Sequence, residues 1–167
     1  DFRWQPYRRK HWRGVQVWRA PLWVPARPGG FKRVLHLASF ALASLPLMLR
    51  QWNWKPDVVF CVAPALLCAP AAWLTARACG AHAWLHVQDF EVDVALQMGL
   101  LRAPPMRSLA RGFERWLLRR FDTVSTISGR MHEHLLRKGV ARDRADLLPN
   151  WADLRAVRPL DRPSAYR

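Results

Sequence analysis

Acidic side chains are scarce: 12 Asp and Glu stand against 27 Lys and Arg in 167 residues, for a formal net charge of +15 at pH 7. That imbalance argues against a basic partner and for an anionic one: nucleic acid, a membrane surface or a phosphorylated substrate. Lysine is also rare beside arginine and alanine, so the coding composition of the source contributes to the charge. Cysteine is limited to Cys61, Cys68 and Cys79, all in apolar stretches. An odd number in apolar surroundings suggests free thiols rather than a disulfide framework, and His82, His86, His132 and His134 are not spaced with them as a zinc site requires. The pattern fits reduced thiols in a cytosolic protein. No GxGxxG follows a strand, no GxxxxGK[ST] occurs, and neither GxSxG nor HExxH is present. Helix-turn-helix and RNA-binding signatures are absent too. The uncharged run of the longest candidate helix, Val34 to Leu49, falls short of the roughly 20 residues of a membrane-spanning helix. A chain opening on Asp1, with no signal peptide before it, reads as a fragment.

What the sequence has is a good supply of apolar residues, 51% of the total, enough for one domain with an ordinary core. Residues 1–12 are basic and aromatic (Trp4, Tyr7, Trp12 with Arg8, Arg9 and Lys10). Such a segment can stack on bases, but without a binding-fold signature it reads as a surface loop. Gly14 introduces an alternating strand, Val15–Ala20, and Pro21, Pro25, Pro28 and Gly29-Gly30 make a loop. Phe31–Arg50 is the longest candidate helix. It suits either a place on the sheet or an anionic membrane surface, with Lys32-Arg33 before its apolar run and Arg50 after it. Strands at Val58–Ala63, Ala83–Val87 and Thr123–Ser128 and around Asp146 alternate with helices at Leu66–Cys79, Met106–Arg120 and after Gly129. That alternation predicts an α/β fold with a doubly wound, Rossmann-like, mainly parallel sheet.

One stretch stands out: Ala83-Trp-Leu-His-Val-Gln-Asp-Phe-Glu-Val-Asp93. It runs apolar like a buried parallel strand, then ends in His86, Gln88 and three carboxylates, Asp89, Glu91 and Asp93. Ligands of open α/β sheets bind outside such strand ends. The competing reading is that the acids cap the following helix or loop.

Several segments together resemble glycosyltransferase family 4. They are Asp122-Thr-Val-Ser-Thr-Ile-Ser128, Lys138-Gly139-Val140 and Leu148-Pro-Asn-Trp-Ala-Asp153. The family shows a strand ending in Ser, a helix, a Lys-Gly or Arg-Gly turn, and Pro-Asn-Gly-Val-Asp before a hinge. Trp151 replaces that Gly here. The 84–93 stretch, Ala20-Pro-Leu-Trp-Val-Pro-Ala-Arg-Pro28 and Arg158-Pro-Leu-Asp-Arg-Pro163 narrow the likeness to the colanic-acid-type exopolysaccharide glycosyltransferases.

The resemblance implies a GT-B enzyme with two Rossmann-like domains, transferring sugar from a nucleotide-sugar donor with retention. Residues 1–151 then correspond to an incomplete N-terminal acceptor domain and 152–167 to an interdomain linker, the donor domain being absent. Two strands usual in the family would lie between Val15–Ala20 and Val58–Ala63. Without them Val15–Ala20 is expected to drift, pair elsewhere or become irregular, while the sheet from Val58 to Leu148 holds together.

By the same resemblance Asp89 is the catalytic candidate, contacting or orienting the acceptor hydroxyl, with a cap as its alternative role. His86, Gln88, Phe90 and Glu91 are candidates for acceptor binding, and His86 equally suits a satisfied core position. Ser128, Arg130 and Asn150 fall on the donor side or hinge, Ser128 being more simply a helix N-cap. No metal and no cofactor are implied. The expected partners are the nucleotide sugar, a lipid-linked saccharide acceptor and an anionic membrane surface. The expected location is cytoplasmic, peripheral on the inner face of the membrane. The alternative function is a basic, non-catalytic nucleic-acid-binding protein.

Overall fold

The computed structural model describes residues 6–27, 29–64, 66–101 and 103–153. Most of the proposed linker and the Arg158–Pro163 motif lie outside the described residues, as do Trp4 and Pro28. Along the chain the elements are strands β1 (Arg8–Trp12) and β2 (Val15–Arg19), helix α1 (Gly30–Arg50) and strand β3 (Val58–Ala63). Next come α2 (Ala69–Cys79), β4 (His82–Val87), α3 (Glu91–Gln97) and α4 (Pro104–Leu118). The last are β5 (Thr123–Thr126), α5 (Gly129–Arg137) and β6 (Ala145–Leu147). Short 3-10 turns, Gln51–Asn53 and Leu66–Cys68, close α1 and open α2.

Strands β3 to β6 form one parallel sheet in the order β3-β4-β5-β6. This is the α/β class expected. Each crossover steps the same way across the sheet, and right-handed crossovers place their helices on one face. The burial pattern agrees. Ala83, Leu85, Val87 and Val124 point into a core shared with Ala69 and Ala76 of α2, Leu117 and Leu118 of α4, Phe121 between α4 and β5, and Leu135 of α5. On the opposite face Phe60 packs edge-on to Trp84 at 5.4 Å, while Val58, Phe60 and Val62 stay exposed along the edge strand β3.

Local chemistry explains the helix ends. Ser128 caps α5 with its Oγ, which accepts from the Met131 amide. Gly80 ends α2 at φ +70 and Gly139 follows α5 at φ +90. At Gly139 a Cβ would meet only the end of the flexible Arg119 side chain, which can move aside, so backbone geometry rather than space calls for glycine. Within α1, Pro46 cannot donate to the Leu42 carbonyl, and the helix continues regardless.

Residues 8–12 are a strand, not the surface loop expected. Arg13 (φ +46) and Gly14 (φ +82) supply the two left-handed residues of a tight hairpin turn, and Trp12 faces Val15 across it. The basic-aromatic composition is used inside the hairpin: Arg9 lies over the directly paired Trp18, 5.0 Å from the ring centre, and Arg13 over Trp12. Val15–Arg19 therefore does not join the main sheet; it pairs elsewhere, one of the outcomes anticipated. The hairpin and the segment after it are strapped to α1. Tyr7 Oη donates to the Ala43 carbonyl, Ser39 Oγ accepts from the Trp23 amide, and His36 Nδ1 meets the Trp23 carbonyl at 2.6 Å.

An isolated two-stranded hairpin has little stability of its own. Amide hydrogen exchange of the 167-residue chain should be fast at Arg8–Trp12 and Val15–Arg19 and slow through β4 and β5. Equal protection of hairpin and sheet would contradict this division.

Candidate functional site at the carboxyl edge of the sheet

Because β3, β4 and β5 run in register, the loops after Ala63, Val87 and Thr126 leave the sheet at one edge. The Gln88 amide donates to the Ala63 carbonyl and extends the ladder by one residue. The backbone then turns at Phe90 into α3, which holds Glu91 and Asp93 in its first turn. Carboxylates there favour the helix dipole, but Phe90 gives no side-chain cap and the three acids diverge.

Asp89 stays exposed at the rim of a cavity of about 400 Å³. The cavity lies between α1, the loop after β3, α3 and α4; Leu37, Leu66, Val92 and Phe113 line it, with Arg33 and Asp89 among its few polar residues. Glu91 turns into this cavity. Its Oε2 accepts from the Leu66 amide at 3.2 Å, whereas Oε1 is shut off from solvent and has no hydrogen-bond partner among the described residues. Burial raises the Glu91 carboxyl above its usual range, against the Leu66 hydrogen bond and nearby Arg33.

Asp93 goes the other way. Its Oδ2 is 2.8 Å from both His134 Nε2 and Lys138 Nζ, and Lys138 also donates to Oε2 of Glu114, a residue only 2% exposed. This cluster ties α3, α4 and the C-terminal end of α5 together. Burial alone would raise Asp93, but the hydrogen bonds from Lys138 and His134 bring its carboxyl below the usual range. For Glu114 burial prevails and raises the group despite Lys138.

The remaining candidates fall in separate places. His86 is 4% exposed, on the sheet face away from the helices, stacked on Phe60 and 2.9 Å from Ser125 Oγ, which also accepts from Trp84 Nε1. Desolvation lowers its pKa, favouring the neutral ring. His86 therefore occupies a satisfied core position and does not enter the cavity beside Asp89. Gln88 is half-buried at the end of β4. Phe90 packs against α5, its ring 4.7 Å from that of His134, with Lys138 Nζ 5.0 Å from its centre. Ser128 is engaged as the α5 cap, Arg130 is exposed in the first turn of α5, and Asn150 is exposed beyond β6. No three His, Cys, Asp or Glu side chains converge as a metal site among the described residues.

Sequence reasoning missed Arg33 as a cavity residue and the whole Asp93–His134–Lys138–Glu114 cluster. Two signals existed. His134 and Lys138 lie one helical turn apart, and Glu114 is the lone acid of an otherwise basic helix.

Removing one partner of a buried ion pair leaves the other charge unmet, which costs roughly 3–5 kcal/mol. Lys138→Met should therefore unfold in urea with a loss of that order, and adding Glu114→Gln should restore part of it. Additive losses in the double variant would show that the two groups are not coupled.

Comparison with known proteins identifies the family. A family model described as "Glycosyl transferase 4-like domain" matches residues 2–151. The chain is 44% identical over 141 residues to "Putative colanic acid biosynthesis glycosyl transferase WcaI" of Escherichia coli (strain K12). The match covers 83% of this chain and 35% of the relative, so the chain spans about a third of that protein's length. No solved structure matches it. With nearly the whole sequence inside the family model, the chain belongs to the glycosyl transferase 4-like family.

Proposed function

We propose that this chain is the acceptor-binding part of a retaining glycosyltransferase of exopolysaccharide biosynthesis. The enzyme would transfer a sugar from a nucleotide-sugar donor to a lipid-linked saccharide acceptor. The observation that carries the reading is the 44% identity to the colanic acid relative, which runs through the segment bearing Asp89 and Glu91. Asp89, exposed at the cavity rim on the carboxyl edge of the sheet, is placed as an open α/β fold places ligand-binding groups. In this reading its carboxylate accepts a hydrogen bond from the attacking acceptor hydroxyl and orients it, taking its proton as the glycosidic bond forms. Gln88 and Glu91 flank that position, and Ser128, Arg130 and Asn150 face the donor side. The donor is a substrate, and the reading calls for no further cofactor and no metal.

Helix α1 supports a place on the inner face of the cytoplasmic membrane. None of its described residues is fully buried, and Leu35, Leu42, Leu45 and Leu49 form an exposed apolar stripe, Leu42 being 71% exposed. Lys32 and Arg33 stand at one end and Arg50 at the other, where anionic headgroups would meet them. The stretch Lys32–Asn53 is also long and apolar enough to cross a membrane by length and composition, unlike the shorter run read from sequence. Its contacts with the hairpin and α2 favour the peripheral arrangement.

Two measurements test this. In the longer enzyme that contains this chain, Asp89→Asn should lower turnover on the order of 10²-fold with little change in melting temperature. Activity retained within about threefold while the melting point collapses would make Asp89 structural. Sedimentation of the chain with anionic vesicles should fall with rising salt and with Leu42→Glu, because screening and the inserted charge both weaken the contact. Unchanged binding to neutral vesicles at high salt would remove the electrostatic part of the proposal. Salt-sensitive binding to nucleic acid, with none to vesicles, would favour the non-catalytic alternative.

A further inference from the structure

The cavity beside Asp89 has a composition that a saccharide alone does not explain. Its walls are apolar side chains from α1, α3, α4 and the loop after β3, including Leu37, Leu67, Ala95, Met98 and Phe113. Sugars present hydroxyls on all sides and would strand them against such walls. At about 400 Å³ the space is in the range of small-molecule sites rather than of packing defects. Three polar groups accompany it: Arg33, Asp89 and Glu91. Glu91 Oε1 lies buried without a partner among the described residues, an arrangement native folds seldom leave unfilled. Arg33 is the cation among them and lies close enough to Glu91 to influence its ionisation. Helix α1 has a double part, since Arg33, Val34 and Leu37 wall the cavity while Leu42, Leu45 and Leu49 form its exposed apolar stripe.

We infer that this cavity binds the apolar chain of a single-chain amphiphile, with its anionic head at Arg33 and a polar atom near the head meeting Glu91 Oε1. The inference rests on the acceptor reading above and deepens it: the lipid part of the acceptor lies inside the domain, and the saccharide extends past Asp89 toward the donor. Burial of Glu91 favours its protonated form, which can donate to a phosphate oxygen and does not repel it. An apolar chain entering from a membrane would pass along α1, whose outer stripe and inner wall belong to one helix.

Calorimetric titration of the 167-residue chain with decyl phosphate, decanol and inorganic phosphate tests this, with the amphiphiles held below their micellar concentrations. Decyl phosphate should bind one to one. Decanol should bind at least tenfold more weakly, and inorganic phosphate should show no saturable binding at millimolar concentration. Ala95→Trp, filling the cavity, should weaken decyl phosphate at least tenfold. Met98→Trp should act in the same direction from a position 62% exposed, where folding is not at stake. Arg33→Ala should narrow the gap between decyl phosphate and decanol. Undiminished binding in both Trp variants would overturn the inference. So would phosphate binding as tightly as decyl phosphate, which would mean a bare anion site, or no preference for decyl phosphate over decanol. Because the titration involves no donor and no turnover, its failure would leave the transferase reading to stand or fall on Asp89→Asn.

Discussion

The in-register parallel ladder from β3 to β6 is the constraint on which the rest of this structure depends. Parallel strands demand crossovers, and crossovers that all step in one direction stack their helices on one face. Two consequences follow together. The buried face becomes a single core of Ala, Leu, Val and Phe, and the strand ends line up so that one edge carries every loop of interest. Gln88 reaching back to Ala63 shows how closely the edge is kept in step. The residues that follow can be directed only because their starting points are fixed.

From that edge, three carboxylates within five residues are sent to three environments. Asp89 is left in solvent, Glu91 is turned into an apolar cavity, and Asp93 is drawn to His134 and Lys138 at the end of α5. The physical reason lies in the turn at Phe90. It starts α3 at Glu91, and the helical 100° step per residue then sets Glu91 and Asp93 on different sides. Asp93 finds Lys138 and His134, and the aromatic ring of Phe90 packs against the same two side chains. The loop bearing Asp89 is thereby held from behind by a network that does not line the cavity. Lys138 in turn connects it to Glu114, so the orientation of the edge depends on α4 as well as α5.

Helix α1 shows how one segment serves several surfaces. One side receives Tyr7, Trp23 and Trp18 of the hairpin region, another walls the cavity, and a third is left apolar and exposed. A helix wholly buried in a core would be uniformly apolar in its surroundings; this one carries Ser39 and Ser44, which bond back to carbonyls of the same helix, and His36, which meets the Trp23 carbonyl of the preceding segment. Its place at the periphery joins the proposed membrane contact to the proposed ligand cavity through a single rigid element.

Periodicity and punctuation by themselves determined the α/β class, the strand Val58–Ala63, the strand expected over Thr123–Ser128 (which ends two residues earlier, at Thr126), the Gly80 and Gly139 helix ends and the Ser128 cap. Each of these is decided within a few residues by burial pattern, backbone geometry or a local hydrogen bond. The family was legible for a similar reason, since its motifs are contiguous. The hairpin at Arg8–Trp12 was not, because Arg13-Gly14 is a weak turn signal and cross-strand pairing with Trp18 is not periodic. Tertiary structure alone decided which carboxylate does what: residues 41 and 45 positions apart in sequence from Asp93 became its partners, and Arg33 came to face Glu91 from another helix. Charge, burial and hydrogen bonding act through distance in space, and that distance is set only when the crossovers have closed.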